Sequence, residues 1–356
     1  MRLYHLADLH LGVDPPGLGR ELYRRLVFEK LTEVIEEARR EAVKFIIFAG
    51  DTFDSNALAT STVLSFLRFL AEARDINFIF LPGGGGDFYG EVSGHDAYGP
   101  DSLYRRLEVR SFWERAGNLH LLTPEAPSLV FPEEKVAFYG GFFDYPRAAL
   151  CEEAIYHVAV LHGAFGERAE FGEKPLSSPQ LARYDYLALG HYHRFRKLGP
   201  KAAYAGAFLQ FEFLPHQDAT SGYVVVELKR PAPRLTYREL ADAPRFLHLQ
   251  VLDENDLERL KKLDFERTFV KITAYLAPLE TPLLELKKQL PDRLFLAEGA
   301  HIEPENLTFY QILERIITDK VPEHYQAEVK ELLLYGLKIS PQRTKIEKFL
   351  QDKYGL

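Results

Sequence analysis

The chain has 356 residues, a formal net charge of −8 and a single cysteine, Cys151. This length allows two domains, and the lone cysteine excludes both an intramolecular disulfide and a cysteine-rich metal cluster, so any metal must be bound by nitrogen or oxygen atoms. The acidic balance argues against a generally basic nucleic-acid binder but allows a local basic groove. Because no apolar run approaches the roughly 20 residues of a membrane helix and the start does not resemble a signal peptide, we expect a soluble cytoplasmic protein without a membrane contact.

The first part of the chain alternates between strand-like and helix-like segments. Continuous apolar runs predict buried strands, and apolar residues at helical spacing predict amphipathic helices. The predicted order is strand 2–7, helix 21–41, strand 44–49, helix 60–74, strand 78–81, helix 102–115 and strand 119–122. This alternation predicts an α/β fold with parallel strands, in which the loops at the carboxyl ends of the strands form the functional site.

The middle of the chain has strand-like segments with few helices between them, which predicts a second sheet packed on the first. These segments are 136–139, 157–161, 184–189, 203–205 and 222–228. A β-α-β-α-β series begins near residue 246, and further helices are predicted at 308–318, 324–335 and 341–354. We therefore expect a main domain at 1–240, a small α/β domain at 241–303 and a helical segment at 304–356.

Six side chains that can bind metal lie at or just beyond the ends of predicted strands. They are Asp8, His10, Asp51, His162, His191 and His193. A capping or turn role would explain any one of them, but their recurrence at successive strand ends indicates a common site. A carboxylate shared between two cations, with imidazoles on each, forms a two-metal site that can clamp a phosphate, and Asp51 is the natural bridge.

The order of these residues resembles the calcineurin-like metallophosphoesterase superfamily, whose pattern is Asp-x-His, Gly-Asp, Gly-Asn-His-Asp/Glu, a later His and Gly-His-x-His. Segments 6–12, 50–54 and 189–193 look like those of SbcD-type DNA-repair nucleases and their YhaO-like relatives, and Tyr-Ala-Gly-Ala-Phe at 204–208 is similar to their Tyr-Pro-Gly-Ser segment. The resemblance extends to about residue 230. It implies a two-sheet sandwich flanked by helices, with a small α/β capping domain and a helical segment after it.

The same resemblance implies which residues hold which ion. The first metal would be bound by Asp8, His10, His193 and Asp51, and the second by His162, His191 and Asp51. It also implies manganese as the cofactor, with two ions per chain. Magnesium or iron(II) is the alternative.

The Gly-Asn-His-Asp/Glu motif is altered in this chain, since residues 82–101 contain no asparagine. Either the glycines at 83–86 replace the motif, or an insertion separates its parts and Gly94-His95-Asp96 is its remnant. We favour the second alternative because it keeps the expected order before the next helix. The resemblance then makes His95 the catalytic candidate, which stabilises the transition state or protonates the leaving oxygen.

Loss of the asparagine is expected to weaken the second metal position. Asp87 could supply an oxygen in its place, and a solvated loop carboxylate is the alternative interpretation of that residue. If the altered loop has decayed, catalysis is impaired.

Five basic residues favour a polymer of phosphates over a small ester as the substrate. These expected DNA-binding residues are Arg105, Arg106, Arg194, Arg196 and Lys197. Ordinary solvated charge is the alternative interpretation. The leading hypothesis is a metal-dependent exonuclease or endonuclease subunit of an SbcCD-like DNA-repair complex. The alternatives are a catalytically weakened scaffold that binds DNA and an ATPase, and a small-molecule phosphodiesterase, which would not need the capping domain or the helical tail.

The predicted helices after residue 304 carry more leucine, isoleucine and phenylalanine than a short appendage can bury, which is typical of a partner site. In the nucleases that the chain resembles, this region binds the base of the coiled coil of an SbcC-like ABC-type ATPase, and the nuclease core forms a homodimer. The resemblance therefore implies both partners. The alternative is that the helices fold back onto the capping domain.

Overall fold

The computed structural model describes residues 1–83, 95–142, 146, 148–166, 174–175, 178–214 and 220–302. Asp87 and the helices predicted after residue 304 lie outside these ranges. The chain divides into two units, one formed by Met1–Leu247 with Glu266–Phe269 and the other by His248–Phe265 with Val270–Leu356. The expected division at 1–240, 241–303 and 304–356 stays a prediction.

The predicted α/β character is confirmed, and most strands and helices form where the sequence patterns place them. The strands are β1 Arg2–Leu6, β2 Phe45–Ala49, β3 Asn77–Leu81, β4 Leu119–Leu121, β5 Ser128–Phe131, β6 Val136–Phe142, β7 Tyr156–His162, β8 Phe165–Gly166, β9 Lys174–Pro175, β10 Tyr186–Gly190, β11 Arg196–Lys197, β12 Ala202–Tyr204, β13 Gly222–Glu227, β14 Arg234–Glu239, β15 Arg245–Val251, β16 Thr268–Leu276, β17 Leu294–Leu296 and β18 His301–Ile302. The helices are α1 Arg20–Arg40, α2 Thr60–Ala71, α3 Leu107–Arg115, α4 Ser178–Arg183, α5 Glu254–Lys261 and α6 Glu280–Gln289, with 3-10 helices at Leu103–Arg105 and Ala277–Leu279.

The helix predicted at 102–115 was wrong in one respect, because it is interrupted at Arg106. That residue has extended dihedral angles, φ −60° and ψ 134°, so a 3-10 turn precedes it and α3 follows it. Its guanidinium donates hydrogen bonds to the carbonyl oxygens of Leu58 and Asn56. These contacts hold the extended residue against the loop before α2.

Two six-stranded sheets form the first unit. One has the order β14-β13-β1-β2-β3-β4 and the other β11-β12-β10-β7-β6-β5. The strands β1 to β4 are parallel to one another, as are β6, β7, β10 and β12. Antiparallel pairing occurs towards the edges, where β13 pairs with β1 and β14, β5 with β6, and β11 with β12. The predicted second sheet is confirmed by this arrangement.

The two sheets share one apolar core, as the alternation of side chains along the strands requires. From β7 and β10, Val158, Val160 and Ala188 point into a cluster that also contains Phe45 and Ile47 of β2. The neighbouring residues on those strands contribute to a separate cluster on the opposite face of the second sheet. Both faces of the central strands are therefore buried, which fixes the positions of their carboxyl ends.

Gly190 allows the carboxyl end of β10 to approach the first sheet closely. A Cβ atom at this position would lie 1.8 Å from the carbonyl oxygen of Ala49 and 2.9 Å from His162 Nδ1. The carbonyl belongs to the backbone of β2 and cannot move without disturbing that strand. A glycine is therefore required where the two sheets bring their strand ends together.

We expect Gly190→Ala to destabilise the protein by about 2–3 kcal/mol, since the added methyl group overpacks a backbone contact. Thermal unfolding followed by circular dichroism would show this as a lower midpoint. Gly117→Ala is the matched control, because a Cβ atom there would meet nothing within 4 Å. Equal midpoints for the two variants would contradict the close approach.

The second unit contains a small mixed α/β arrangement. Its sheet has the order β15-β16-β17, and β18 also pairs with β16. The pairings of β16 with β17 and with β18 are parallel. Among the helices in the described parts of the chain, none has the length and apolar character that a membrane crossing requires.

Candidate metal centre

The candidate metal ligands are placed by the carboxyl ends of strands from both sheets. In the first sheet, β1 is followed by Asp8 and His10, and β2 is followed by Asp51. In the second sheet, β7 ends at His162, and β10 is followed by His191 and His193. Since the central strands run parallel within each sheet, the strand ends meet at one edge of the sandwich.

Several of these residues have backbone conformations that non-glycine residues rarely adopt. Asp8, His10, Asp51 and His191 have φ angles of 51°, 44°, 47° and 116°. Such conformations cost on the order of 1–3 kcal/mol each and concentrate at functional sites. Backbone hydrogen bonds hold two of the turns, from Asp8 N to Gly50 O at 3.1 Å and from His10 N to Asp51 O at 2.9 Å. These unusual backbone conformations direct the side chains that follow β1, β2 and β10 towards a common centre.

The first cluster of ligand atoms comes from Asp8, His10 and His193, with one atom from each lying within 4.8 Å of the others. The two Nε2 atoms of His10 and His193 are 3.1 Å apart. The backbone N–H of His191 donates to both carboxylate oxygens of Asp8, at 3.0 and 3.1 Å, and so orients that carboxylate. One carboxylate and two converging imidazoles are a suitable donor set for a divalent transition metal.

The second cluster comes from Asp8, Asp51 and His162, all of them buried. His162 Nε2 is 3.3 Å from Asp51 Oδ2. Its Nδ1 atom is 2.9 Å from the carbonyl oxygen of Ala49 and donates to it, which leaves Nε2 as the ligand atom. The ring of His191 lies 5.5 Å from the ring of His162. The structure thus brings all six predicted ligands to one edge of the sandwich.

Burial and neighbouring charges affect the two carboxylates differently. Burial raises the pKa of Asp8 to about 7. Burial, the largest single effect, acts in the same direction on Asp51, but the neighbouring imidazoles of His162, His10 and His95 together lower the pKa of Asp51. Burial opposes the charged form of His162, yet the Asp51 carboxylate raises the pKa of this histidine to about 10. Asp51 is therefore the more readily ionised of the two carboxylates.

His95 lies beside the first cluster. Its ring centroid is 4.3 Å from that of His10, its Nε2 atom is 3.9 Å from Asp51 Oδ2, and its Nδ1 atom lies 3.0 Å from the carbonyl oxygen of Asp54. His10, Asp54 and His95 also form a third group of possible ligand atoms. The side chain of His95 is 45% exposed, so it can reach a substrate that enters from solvent.

Asp96 connects the altered motif to the rest of the site. Its buried carboxylate accepts hydrogen bonds from Gly83 N at 2.6 Å, Phe53 N at 3.2 Å and the Tyr104 hydroxyl at 2.6 Å. Gly83 and the His95–Asp96 pair therefore both lie at the site, although residues 84–94 separate them in the sequence. This geometry favours an insertion that separates the parts of the motif over outright replacement.

The basic residues predicted to bind DNA occupy different surroundings. Arg194, Arg196 and Lys197 are exposed and follow the His191–His193 segment directly. Arg105 forms an ion pair with Glu125 and lies over the ring of Tyr98, whereas the Arg106 guanidinium is bonded to backbone carbonyls. The first three residues therefore place positive charge next to the candidate ligands in the sequence.

Three side chains beside the ligands were missed at the sequence level. Asp54 Oδ1 lies 3.4 Å from His10 Nδ1, and Glu212 accepts a hydrogen bond from His193 Nδ1. The Phe211 ring packs against the rings of both histidines. Asp54 had a signal, since it stands three residues after Asp51 in the same loop. Nothing in the local pattern around Phe211 and Glu212 indicated a contact with His193.

Comparison with known proteins agrees with this geometry. The family model of the calcineurin-like phosphoesterases matches residues 1–195. This family uses a dinuclear metal site, and the donor sets described above fit such a site.

Two curated relatives also align with the chain. It is 28% identical over 229 residues to the uncharacterized metallophosphoesterase YhaO of Bacillus subtilis, covering 57% of this chain and 52% of the relative. It is 27% identical over 260 residues to the DNA double-strand break repair protein Mre11 of Methanopyrus kandleri, covering 65% of this chain and 54% of the relative. The chain thus spans about half the length of these proteins. The match over residues 1–195, together with the metal-ligand clusters, shows that the chain belongs to the calcineurin-like metallophosphoesterase family.

Proposed function

We propose that this chain is a metal-dependent nuclease that hydrolyses phosphodiester bonds of DNA. The observation that carries the proposal is the position of Asp51 Oδ2, which faces the Nε2 atoms of His162, His10 and His95 at 3.3, 3.8 and 3.9 Å. One carboxylate thereby touches both proposed metal positions and the proposed catalytic histidine. The relative named as a DNA double-strand break repair protein supports DNA as the substrate.

The proposed cofactor is Mn²⁺ at two positions, with Mg²⁺ or Fe²⁺ as the alternatives. Asp8, His10 and His193 would hold the first ion, His162 and His191 would hold the second, and Asp51 would contribute to both. When bound, the ions would supply activation of a water for attack on phosphorus and neutralisation of the charge that develops on the phosphate oxygens.

His95 is proposed to act on the substrate directly. The hydrogen bond between its Nδ1 atom and the Asp54 carbonyl leaves Nε2 facing the ligand cluster. When the ring carries both protons, Nε2 can donate a proton or hydrogen bond from this position to a phosphate oxygen or to the leaving oxygen. Asp96, the residue after His95, accepts hydrogen bonds from Phe53 N and Gly83 N. These bonds hold the backbone beside His95 in place.

DNA is favoured over a small ester because Arg194, Arg196 and Lys197 present positive charge immediately after the ligand segment. Arg105 and Arg106 belong to the same proposed DNA-binding set. Assays on end-labelled duplex and single-stranded DNA, with Mn²⁺ and with Mg²⁺, test the proposal. We expect metal-dependent cleavage that chelation stops. Hydrolysis of a small phosphodiester without cleavage of either DNA would refute it.

We expect the two metal positions to differ in affinity. The first retains a complete set of protein ligands, whereas the second has lost the oxygen that the family's asparagine supplies. Calorimetric titration of the metal-free protein with Mn²⁺ is therefore expected to resolve a tight site and a weaker one. A single class of two equal sites would contradict this expectation.

We propose that the protein works as a homodimer and in complex with an SbcC-like coiled-coil ABC-type ATPase that binds the helices predicted after residue 304. The apolar residues of that segment support this assignment. Truncation before Pro304 is expected to abolish co-purification with the ATPase while leaving Mn²⁺ binding unchanged. Retention of the ATPase at full strength by the truncated chain would exclude the segment as the main contact.

A further inference from the structure

His193 is held from both sides of its imidazole ring. Its Nε2 atom faces His10 Nε2 at 3.1 Å, on the side of the first ligand cluster. Its Nδ1 atom donates a hydrogen bond to Oε1 of Glu212 on the opposite side. A histidine that donates from Nδ1 to a carboxylate has its proton fixed there, so the lone pair of Nε2 is available to a cation.

The segment that carries Glu212 is itself anchored at the site. Phe208 N donates to the carbonyl oxygen of Ala7, the residue before the ligand Asp8. Further along, the ring of Phe211 lies 4.6 Å from the His10 ring and 4.9 Å from the His193 ring, measured between centroids. Glu212 is the next residue. The carboxylate is therefore delivered to His193 by a segment that packs against both imidazoles of the first cluster.

The groups behind the histidines differ between the two metal positions. His193 Nδ1 donates a hydrogen bond to the carboxylate of Glu212, and His10 Nδ1 lies 3.4 Å from the carboxylate of Asp54 without a hydrogen bond between them. In contrast, His162 Nδ1 donates to the neutral carbonyl of Ala49. A carboxylate acceptor makes an imidazole a stronger donor to a metal than a neutral carbonyl does. The electrostatic support for the two positions is thus unequal.

We propose that Glu212 is a positioning residue that selects the metal-binding tautomer of His193 and strengthens the first metal position over the second. This inference rests on the proposed ligand set but not on the nuclease substrate. Glu212 has no role in the chemistry except through His193. Its side chain is 43% exposed, so it can be exchanged for an amide of the same shape without opening a buried cavity.

The test compares Glu212→Gln with Glu212→Asp in the full-length chain, using Mn²⁺ as the probe and electron paramagnetic resonance to measure free and bound ion. Glu212→Gln is expected to weaken the tighter site by about 10- to 100-fold and to leave the weaker site unchanged. Glu212→Asp is expected to recover part of the loss, because it retains the carboxylate. Glu239→Gln, an exposed glutamate at the end of β14, is the matched control and is expected to bind like wild type.

The titration uses no DNA, so its result is independent of whether the chain is a nuclease. Unchanged affinity at the tighter site, or an equal loss at both sites, would overturn the proposal. Nitrogen NMR of the metal-free wild-type protein, recorded at a pH where the His193 ring is neutral, gives a second measurement that does not depend on a variant. The proposal predicts that the neutral ring carries its proton on Nδ1, and a neutral ring protonated on Nε2 instead would overturn it.

Discussion

Replacing Asp51 by alanine is expected to abolish the binding of both metal ions and, with it, phosphodiester hydrolysis. Asp51 is the carboxylate that faces His162 on one side and His10 on the other, at 3.3 and 3.8 Å. Its low pKa keeps it anionic throughout the neutral range. Removing it leaves two incomplete ligand sets without the shared negative charge. Calorimetry with Mn²⁺ measures the loss of binding directly.

Asp75→Ala is the control for this experiment. Asp75 is a surface aspartate that pairs with Arg39, and its replacement is expected to leave metal binding and hydrolysis unchanged. Comparable circular dichroism spectra would show that both variants are folded. Two bound ions in Asp51→Ala would show that Asp51 is not the bridge.

Replacing His95 by alanine is expected to lower turnover by about 10²-fold or more while leaving the metal content unchanged. His95 faces the ligand clusters but belongs to neither of the two proposed metal positions. Its removal therefore takes away a proton or hydrogen-bond donor to the substrate without removing a ligand. Turnover of labelled DNA and metal analysis of the same preparation separate these effects.

His301→Ala, an exposed histidine in the second unit, is the control and is expected to retain full turnover. If His95→Ala lost metal together with activity, His95 would be a ligand, as its place in the group with His10 and Asp54 allows. Unchanged turnover would indicate that the altered motif no longer takes part in catalysis.

The strands that position the site could be predicted because they are buried on both faces. Segments such as Phe45–Ala49 and Tyr186–Gly190 are continuous apolar runs that end in glycine or lead into one. The edge strands β5 and β14 were missed for the opposite reason. Arg234–Glu239 has no fully buried residue, and its apolar alternation is limited to Leu235 and Tyr237, which is too short a pattern to mark a strand.

The candidate ligands could be predicted because each follows a recognisable strand. The contacts behind them could not, since they depend on chain segments that meet only in the folded protein. Glu212 contacts His193 because the preceding segment, 204–208, is hydrogen-bonded to Ala7 and places Glu212 at the site. His95 is separated from Gly83 by residues 84–94 in the sequence, and the hydrogen bond from Gly83 N to Asp96 brings the two ends of this segment together.

Crystals grown with Mn²⁺, with diffraction data collected at the manganese absorption edge, show directly whether the candidate ligands form one two-metal site. We expect two anomalous peaks about 3.5–4 Å apart with the Asp51 carboxylate between them. The first peak should contact Asp8, His10 and His193, and the second should contact His162 and His191. Peaks elsewhere on the protein, or none at these strand ends, would contradict the proposed two-metal site.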